Sequence, residues 1–377
     1  MSSGPRSVPG LAVIRQDVQS MHAYAIQDAR GLIKLDAMEN PYVLPPAMQE
    51  ALGARLGALA INRYPGQRVD DLRHALMRYV DLPETHTLML GNGSDELISL
   101  LAMACDLPGA KVLAPEPGFV MYGMSARLQG LQYVGVPLRT DFSLDEPAML
   151  QAIAEHRPAL VYLAYPNNPT ANLWDVATLR RLIAAASAQG ALVVMDEAYQ
   201  PFSSRTWLDE IRSDPQANAQ VLLMRTLSKF GLAGVRLGYL CGPVPLIQEV
   251  DKLRPPYNIS VLNAECALFA LEHAQEFARQ ATLVRIERER VTAALSLMPH
   301  VQPFPSDANM LLLRITSDDE QAATRLFQGL RELGVLVKNV SKMHPLLRNC
   351  LRLTVGTSNE NDLLLQALAQ ALPVARV

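Results

Sequence analysis

From residue 86 to about 245 the chain repeats one pattern: a short apolar or β-branched run, a polar or Gly/Pro-containing loop, then a segment with Leu, Ile and Ala at helical spacing. The runs are Thr87–Leu90, Lys111–Ala114, Ala159–Ala164, Ala191–Met195, Val221–Met224 and Val235–Leu240. Glu96–Cys105 and Asp175–Gln189 are examples of the helical segments between them. Strands that alternate with helices predict a mainly parallel sheet covered on both faces, an α/β fold. After Pro255 and Pro256 the pattern changes. Ala264–Leu297 reads as one long helix, followed by strand-like runs at Met310–Ile315, Val335–Val340 and Cys350–Val355, a smaller α+β unit. The first forty-odd residues lack the alternation. The expected division is an N-terminal arm over residues 1–45, directed to the small domain or a partner subunit, a large domain over 46–260 and a small domain over 261–377.

Length agrees, since 377 residues at roughly 150 per domain suit one large domain and a smaller one. A chain that is 49% hydrophobic and 19% charged can bury a core, which excludes disorder. The net charge of −3 lacks the basic excess of a protein that binds a phosphate backbone. The longest apolar-looking stretch, Leu182–Met195, is broken by Ser187, Gln189 and Gly190 and is shorter than the roughly 18 residues of a membrane span. At the N-terminus only Leu11–Ile14 is apolar, too short for a secretory signal, so a cytoplasmic protein is expected. Four cysteines at least 25 residues apart suggest neither a disulfide framework nor a zinc site, and no metal is expected.

In an open parallel sheet, ligands bind beyond the carboxyl ends of the strands, so the residues after each run are the candidates for chemistry. They are Gly91-Asn92-Gly93-Ser94-Asp95-Glu96, Tyr165-Pro166-Asn167-Asn168-Pro169-Thr170, Asp196-Glu197-Ala198-Tyr199 and Arg225-Thr226-Leu227-Ser228-Lys229. In the first, glycines let the backbone approach a ligand and the amides of Ser94 and Asp95 open a helix whose dipole favours an anion such as phosphate. A capped Gly turn is the structural alternative. Lys229 stands among apolar residues, and a desolvated lysine is a nucleophile toward carbonyls; a snorkelling lysine at a helix start is the alternative. Asp196 follows the apolar run ALVVM and, once buried, wants a cationic partner; a helix cap or an arginine pair would also serve.

Taken together, NNPT, then DEAY with Asp196 28 residues beyond Asn168, then SK with Lys229 33 residues beyond Asp196, resemble the fold type I aminotransferases that use pyridoxal 5′-phosphate. The likeness runs over nearly the whole chain. It is greatest to the branch that acts on histidinol phosphate, carried by LDAMENPY (35–42), NRYPGQ (62–67), GNGSDE, PNNPT, DEAY, TLSKFGLAGVRLGY (226–239), PPYN (255–258) and LRLTVGT (351–357).

The resemblance implies that Lys229 holds the cofactor covalently, Asp196 pairs with its pyridine nitrogen, and Asn168 and Tyr199 hold its ring oxygen. It implies that Ser94, Asp95, Thr226, Ser228 and Arg236 surround the phosphate, joined by Tyr64 of a partner subunit in a homodimer. Phe119, in PEPGFVMY, would stack on the ring. Arg352 would bind an anionic group of the substrate, assisted by Lys338 and by Tyr24 of the arm. The implied reaction converts histidinol phosphate and 2-oxoglutarate to imidazole-acetol phosphate and glutamate, in histidine biosynthesis.

Three positions depart from the family pattern. Ala171 stands where glycine is usual, the stretch from Lys229 to Arg236 is one residue shorter than in some members, and Lys338 replaces an arginine, giving charge without a bidentate fork. An aromatic amino-acid aminotransferase of the same fold is the nearest alternative, since Arg352 can serve an α-carboxylate. A phosphothreonine decarboxylase is a more distant one. A non-catalytic regulator built on the same domain is the alternative from another class, and neither an extra domain nor a basic patch points to it.

Overall fold

In the computed structural model, which describes residues 9–21 and 27–374, thirteen strands succeed one another along the chain. They are β1 (Ile33–Lys34), β2 (His86–Gly91), β3 (Lys111–Glu116), β4 (Gln132–Pro137), β5 (Leu160–Ala164), β6 (Leu192–Asp196), β7 (Val221–Thr226), β8 (Gly238–Pro243), β9 (Val301–Pro303), β10 (Met310–Ile315), β11 (Val335–Leu336), β12 (Lys338–Asn339) and β13 (Cys350–Thr354). Seven of them form one sheet in the order β2-β8-β7-β6-β5-β3-β4. Only β8 runs against the others, so the sheet is mainly parallel. A four-stranded antiparallel sheet, β12-β13-β10-β9, lies in the C-terminal part, and β1 pairs in parallel with β11.

The large sheet is buried on both faces, and the period of two sorts its side chains. Leu113, Val161, Leu163, Val193, Met195 and Leu223 join one apolar cluster, while Val112, Ala114, Tyr162, Val194, Leu222 and Met224 join another. A third cluster, with Val284, Leu311, Leu313, Leu351, Leu353 and Leu368, forms the C-terminal core. Each fully buried Leu of this kind contributes about 2 kcal/mol through the area it removes from water. Some helices start where a side chain supplies the cap: Asp175 accepts from the Thr178 amide at 2.8 Å and Ser260 from the Asn263 amide at 3.1 Å. The chain divides into two compact units between Gly31 and Leu32. In the first, the described residues form a 3-10 turn over Pro9–Val13 and a short helix over Gln16–Ser20.

Four expectations need correction. The long helix is two, Val261–Glu272 and Ala274–Ser296, separated at His273, whose backbone leaves the helical region while its ring Nδ1 lies 2.8 Å from the Phe269 carbonyl oxygen. With no Gly or Pro at the break, helical periodicity runs straight through it. The run at 235–240 becomes a strand only from Gly238, because residues 233–235 form a 3-10 turn and Arg236 is left-handed (φ 55°). The run at 335–340 splits at Val337 between two sheets. The edge strand β4 was not anticipated, since Gly135 and Pro137 dilute its β signal. Gly135 has a packing reason: a Cβ there would sit 2.2 Å from the Glu116 carboxyl carbon.

Candidate active site

The carboxyl ends of β2, β3, β5, β6 and β7 open into a cavity of about 350 Å³. Its lining includes Ser94, Asp95, Phe119, Asn168, Asp196, Tyr199, Thr226, Ser228, Lys229 and Arg236, ten of the residues singled out from the sequence. A larger surface cleft of about 820 Å³, bordered by Arg139, Trp174 and Phe304, holds none of them.

At one end of the cavity the helix Ser94–Ala104 begins after Gly93, whose φ of +78° favours glycine and whose missing Cβ leaves room for the Arg236 guanidinium 2.9 Å away. Its N-cap residue, Gly93, has no side chain to cap it, so its first amides are left without an N-cap partner at the edge of the cavity. Thr226 Oγ1 lies 2.9 Å from Ser228 Oγ, and Arg236 Nη1 donates to Ser228 Oγ at 3.4 Å while its Nη2 lies 3.6 Å from Asp95. Hydroxyls, helix amides and a guanidinium thus converge on one end, a set of donors suited to a phosphate.

In the middle stands Asp196, buried, with Oδ1 accepting from the Ala198 amide at 3.0 Å and Oδ2 from the Tyr122 hydroxyl at 2.5 Å. Among the described residues no Lys, Arg or His forms an ion pair with it. Burial raises its pKa to about 6, against the two hydrogen bonds. A buried carboxylate without a cation, at the edge of a cavity, fits a protonated pyridine nitrogen. Asn168 Nδ2 donates to the Tyr199 hydroxyl at 3.0 Å, and burial pushes that phenol well above its ordinary value, so it stays a donor.

Lys229 Nζ donates to the Ala37 carbonyl at 3.2 Å and lies 5.9 Å from the centre of the Tyr199 ring. Burial, then the nearby Arg352 cation, lower its pKa to about 8. Residues 37–39 line the cavity, and the sequence did not single them out for this. They are held from the four-stranded sheet and its flank: the Met38 amide donates to Thr354 Oγ1 at 2.9 Å and Asn309 Nδ2 to the Met38 carbonyl at 3.0 Å. Tyr122 was missed too, although it stands three residues beyond Phe119, the helical spacing that brings two rings to one side.

Arg352 on β13 is buried and reaches the loop after β5, where Nη1 donates to Asn168 Oδ1 at 2.7 Å, while Nη2 donates to the Asp36 carbonyl at 3.0 Å. Lys338 on β12 is its direct cross-strand partner, so the two cationic side chains share a face. Tyr64 is not brought to this cavity: it is 75% exposed and stacks on Tyr257 with ring centres 4.2 Å apart. Tyr24 lies outside the described residues. Ala171 has φ 64°, a left-handed conformation that favours glycine, and its side chain is buried beside Met38, Tyr199 and Met310. Asn168 keeps its contacts with Tyr199 and Arg352 in its presence.

The model of the family "Aminotransferase class I and II" matches residues 30–368. The chain belongs to this family: it is a transaminase, and pyridoxal 5′-phosphate is its cofactor. It is 65% identical over 368 residues to the histidinol-phosphate aminotransferase of Methylibium petroleiphilum, covering 97% of each chain. It is 62% identical to that of Paracidovorax citrulli, covering 96% of this chain and 98% of the relative. Among solved structures, a histidinol-phosphate aminotransferase from Sinorhizobium meliloti in complex with pyridoxal 5′-phosphate superposes with a TM-score of 0.83 over 99% of both chains, at 24% identity, a likeness of fold.

Proposed function

We propose that the chain transfers the amino group of histidinol phosphate to 2-oxoglutarate, giving imidazole-acetol phosphate and glutamate in histidine biosynthesis. The observation that carries the reading is the cavity itself: it is lined by a lysine of lowered pKa and by a buried carboxylate that forms no ion pair among the described residues, it has phosphate donors at one end, and Arg352 holds Asn168 of its wall. The 60–65% identity to relatives bearing that name supports the substrate.

When bound, pyridoxal phosphate supplies the carbonyl that takes up amines and the ring that accepts electrons. Lys229 would be its covalent anchor, Asp196 the partner of its ring nitrogen, and Asn168 and Tyr199 the holders of its ring oxygen. Ser94, Asp95, Thr226, Ser228 and Arg236 would surround the phosphate, and Phe119 would cover the ring. A lysine lowered to about 8 holds an appreciable neutral fraction near pH 7, so its amine, once freed, can take the proton from the substrate carbon that bears nitrogen. Arg352, charged at every working pH, orients the substrate's anionic group, and Lys338 adds a second cation for a dianionic phosphate.

Arg352 by itself suits a carboxylate equally well, so donors decide between the readings. Steady-state rates with histidinol phosphate, phenylalanine and tyrosine, each with 2-oxoglutarate, should favour histidinol phosphate. Lys338→Ala should lower kcat/KM for that substrate by roughly ten- to a hundredfold, the loss expected of one charge-assisted contact, while sparing the glutamate half-reaction. Faster turnover of phenylalanine by the unaltered chain would install the aromatic reading.

The same reading includes a cytoplasmic homodimer and the division into an arm (1–45), a cofactor-binding domain (46–260) and a small domain (261–377). Free cysteines suit a reducing compartment. Val43, Ile61 and Tyr64 are 72–80% exposed, apolar surface that a second copy would cover, with Tyr64 reaching the partner's phosphate site. Mixed dimers of Lys229→Ala and Tyr64→Phe should then regain activity by gathering both defects in one site. Activity no higher than that of two self-contained subunits would end the shared-site reading.

A further inference from the structure

We infer that Tyr122 is a positioning residue for the cofactor: its hydroxyl holds the Asp196 carboxylate charged and aimed at the ring nitrogen. This rests on the pyridoxal-phosphate reading of the cavity. Tyr122 sits on the helix Val120–Leu128 and is 2% exposed, with its hydroxyl donating to Asp196 Oδ2 at 2.5 Å. Its ring is fixed from two sides. Tyr162 of β5 stacks on it with centres 4.3 Å apart and planes 9° from parallel, and Phe119 meets it edge-on at 5.6 Å. The hydroxyl therefore has one direction to point, and Asp196 lies there.

The second donor to that carboxylate is the Ala198 amide on Oδ1. A carboxylate with two donors from the protein is a weaker base than one with a single donor, and hydrogen bonds to the charged form favour it. Without the Tyr122 hydroxyl, the proton shared between Asp196 and the ring nitrogen moves toward the carboxylate, and the ring loses positive charge. Nitrogen at the Lys229 link then keeps its own proton to higher pH. The other ionisable groups around the carboxylate, Asp95, Glu197, Tyr199, Lys229 and Arg236, are unaltered by the substitution.

Tyr162 provides an internal control. It stacks on Tyr122, yet its own hydroxyl is buried with no hydrogen-bond partner among the described residues, so Tyr162→Phe keeps the ring and removes an unused group. The test is the pH titration of the visible absorbance of purified holoprotein, which reports protonation of the nitrogen joining lysine to cofactor. Tyr122→Phe should raise the apparent pKa by about one unit, the effect of one hydrogen bond to a charged group, and Tyr162→Phe should leave it in place. In the background Asp196→Asn, adding Tyr122→Phe should produce no further shift, because the carboxylate on which the hydroxyl acts is gone. Equal shifts in the two Phe variants would assign the effect to ring packing, and an unshifted Tyr122→Phe would overturn the inference. If Tyr122→Phe does not fold, Tyr122→His, which retains a ring donor, is titrated instead and should lie between wild type and Asp196→Asn; a titration identical to that of Asp196→Asn would overturn it. Absence of any visible band in the unaltered protein would sink the cofactor reading itself, a result distinct from all of these.

Discussion

Asp196 and Glu197 are neighbours at the end of β6, and the period of two sends them to opposite faces of the sheet. Asp196 continues the face of Val194 and meets Tyr122 beside the cavity, whereas Glu197 continues the face of Met195 and meets Trp207. Their surroundings differ in kind. Glu197 is saturated: Thr206 Oγ1 lies 3.0 Å from both of its oxygens, the Trp207 amide donates to Oε1, and Arg225 of β7 approaches Oε2 with Nε at 3.0 Å and Nη2 at 2.9 Å. Asp196 has two neutral donors and, among the described residues, no cation paired with it. One carboxylate is complete within the chain and holds two strands together; the other keeps capacity for a ligand, and burial raises its pKa to about 6.

The largest effect expected on the open face is on chemistry. Lys229→Ala should lower transamination by several orders of magnitude, since anchor and proton carrier vanish together, while thermal stability stays near that of the parent chain. Borohydride treatment of the unaltered protein should fix the cofactor on the peptide that carries Lys229. A label on another lysine would remove the assignment.

On the closed face the effect should fall on stability. Glu197→Gln leaves the Arg225 guanidinium buried without a counter-charge, and denaturant unfolding should report a loss of about 3 kcal/mol or more. If that variant were as stable as its parent and lost only activity, the contrast between the two faces would fail.

A smaller effect separates the two carboxylates by pH. Asp196 has its folded pKa raised from 3.8 to about 6, so between those values the folded chain binds more protons than the unfolded one. Its charge therefore destabilises the cofactor-free protein above pH 6, and that penalty disappears as the pH falls toward 4. Asp196→Asn should stabilise the cofactor-free protein by at most about 3 kcal/mol at pH 7, the raised pKa converted at roughly 1.4 kcal/mol per unit, and lose most of this advantage near pH 4. Melting curves at the two pH values give the comparison, and an advantage independent of pH would contradict it.

Eight of the ten candidate residues that line the cavity belong to short motifs at strand ends, where local sequence dictates both the strand and the loop that leaves it, while Phe119 and Arg236 followed from the family resemblance alone. The alternation of apolar runs and helical segments made the parallel sheet readable in the same way. The break at His273, the switch of the 335–340 run between sheets and the strand β4 were not readable, since each depends on the groups packed against a segment whose own propensity is unremarkable. Tyr122 was hidden for a related reason: one tyrosine in an apolar helix becomes informative only when Asp196, 74 residues away, is placed against it.

What the sequence determined by itself was the alternation of strands and helices around the sheet, the loops that carry the chemistry and the placing of Lys229 and Asp196 at one sheet edge, all of which derive from periodicity and motif within short windows. Tertiary structure decided which polar groups are satisfied. Glu197 and Asp196 have nearly the same chemistry and adjacent positions, and only the fold brings Arg225 to one and leaves the other facing a cavity. It also decided that residues 36–39 close over Lys229 and that Arg352 spans from the small sheet to Asn168, contacts between residues 184 to 316 positions apart in the chain. Such contacts leave no local trace, because the free energy of pairing a buried polar group depends on the groups around it and not on its neighbours in sequence.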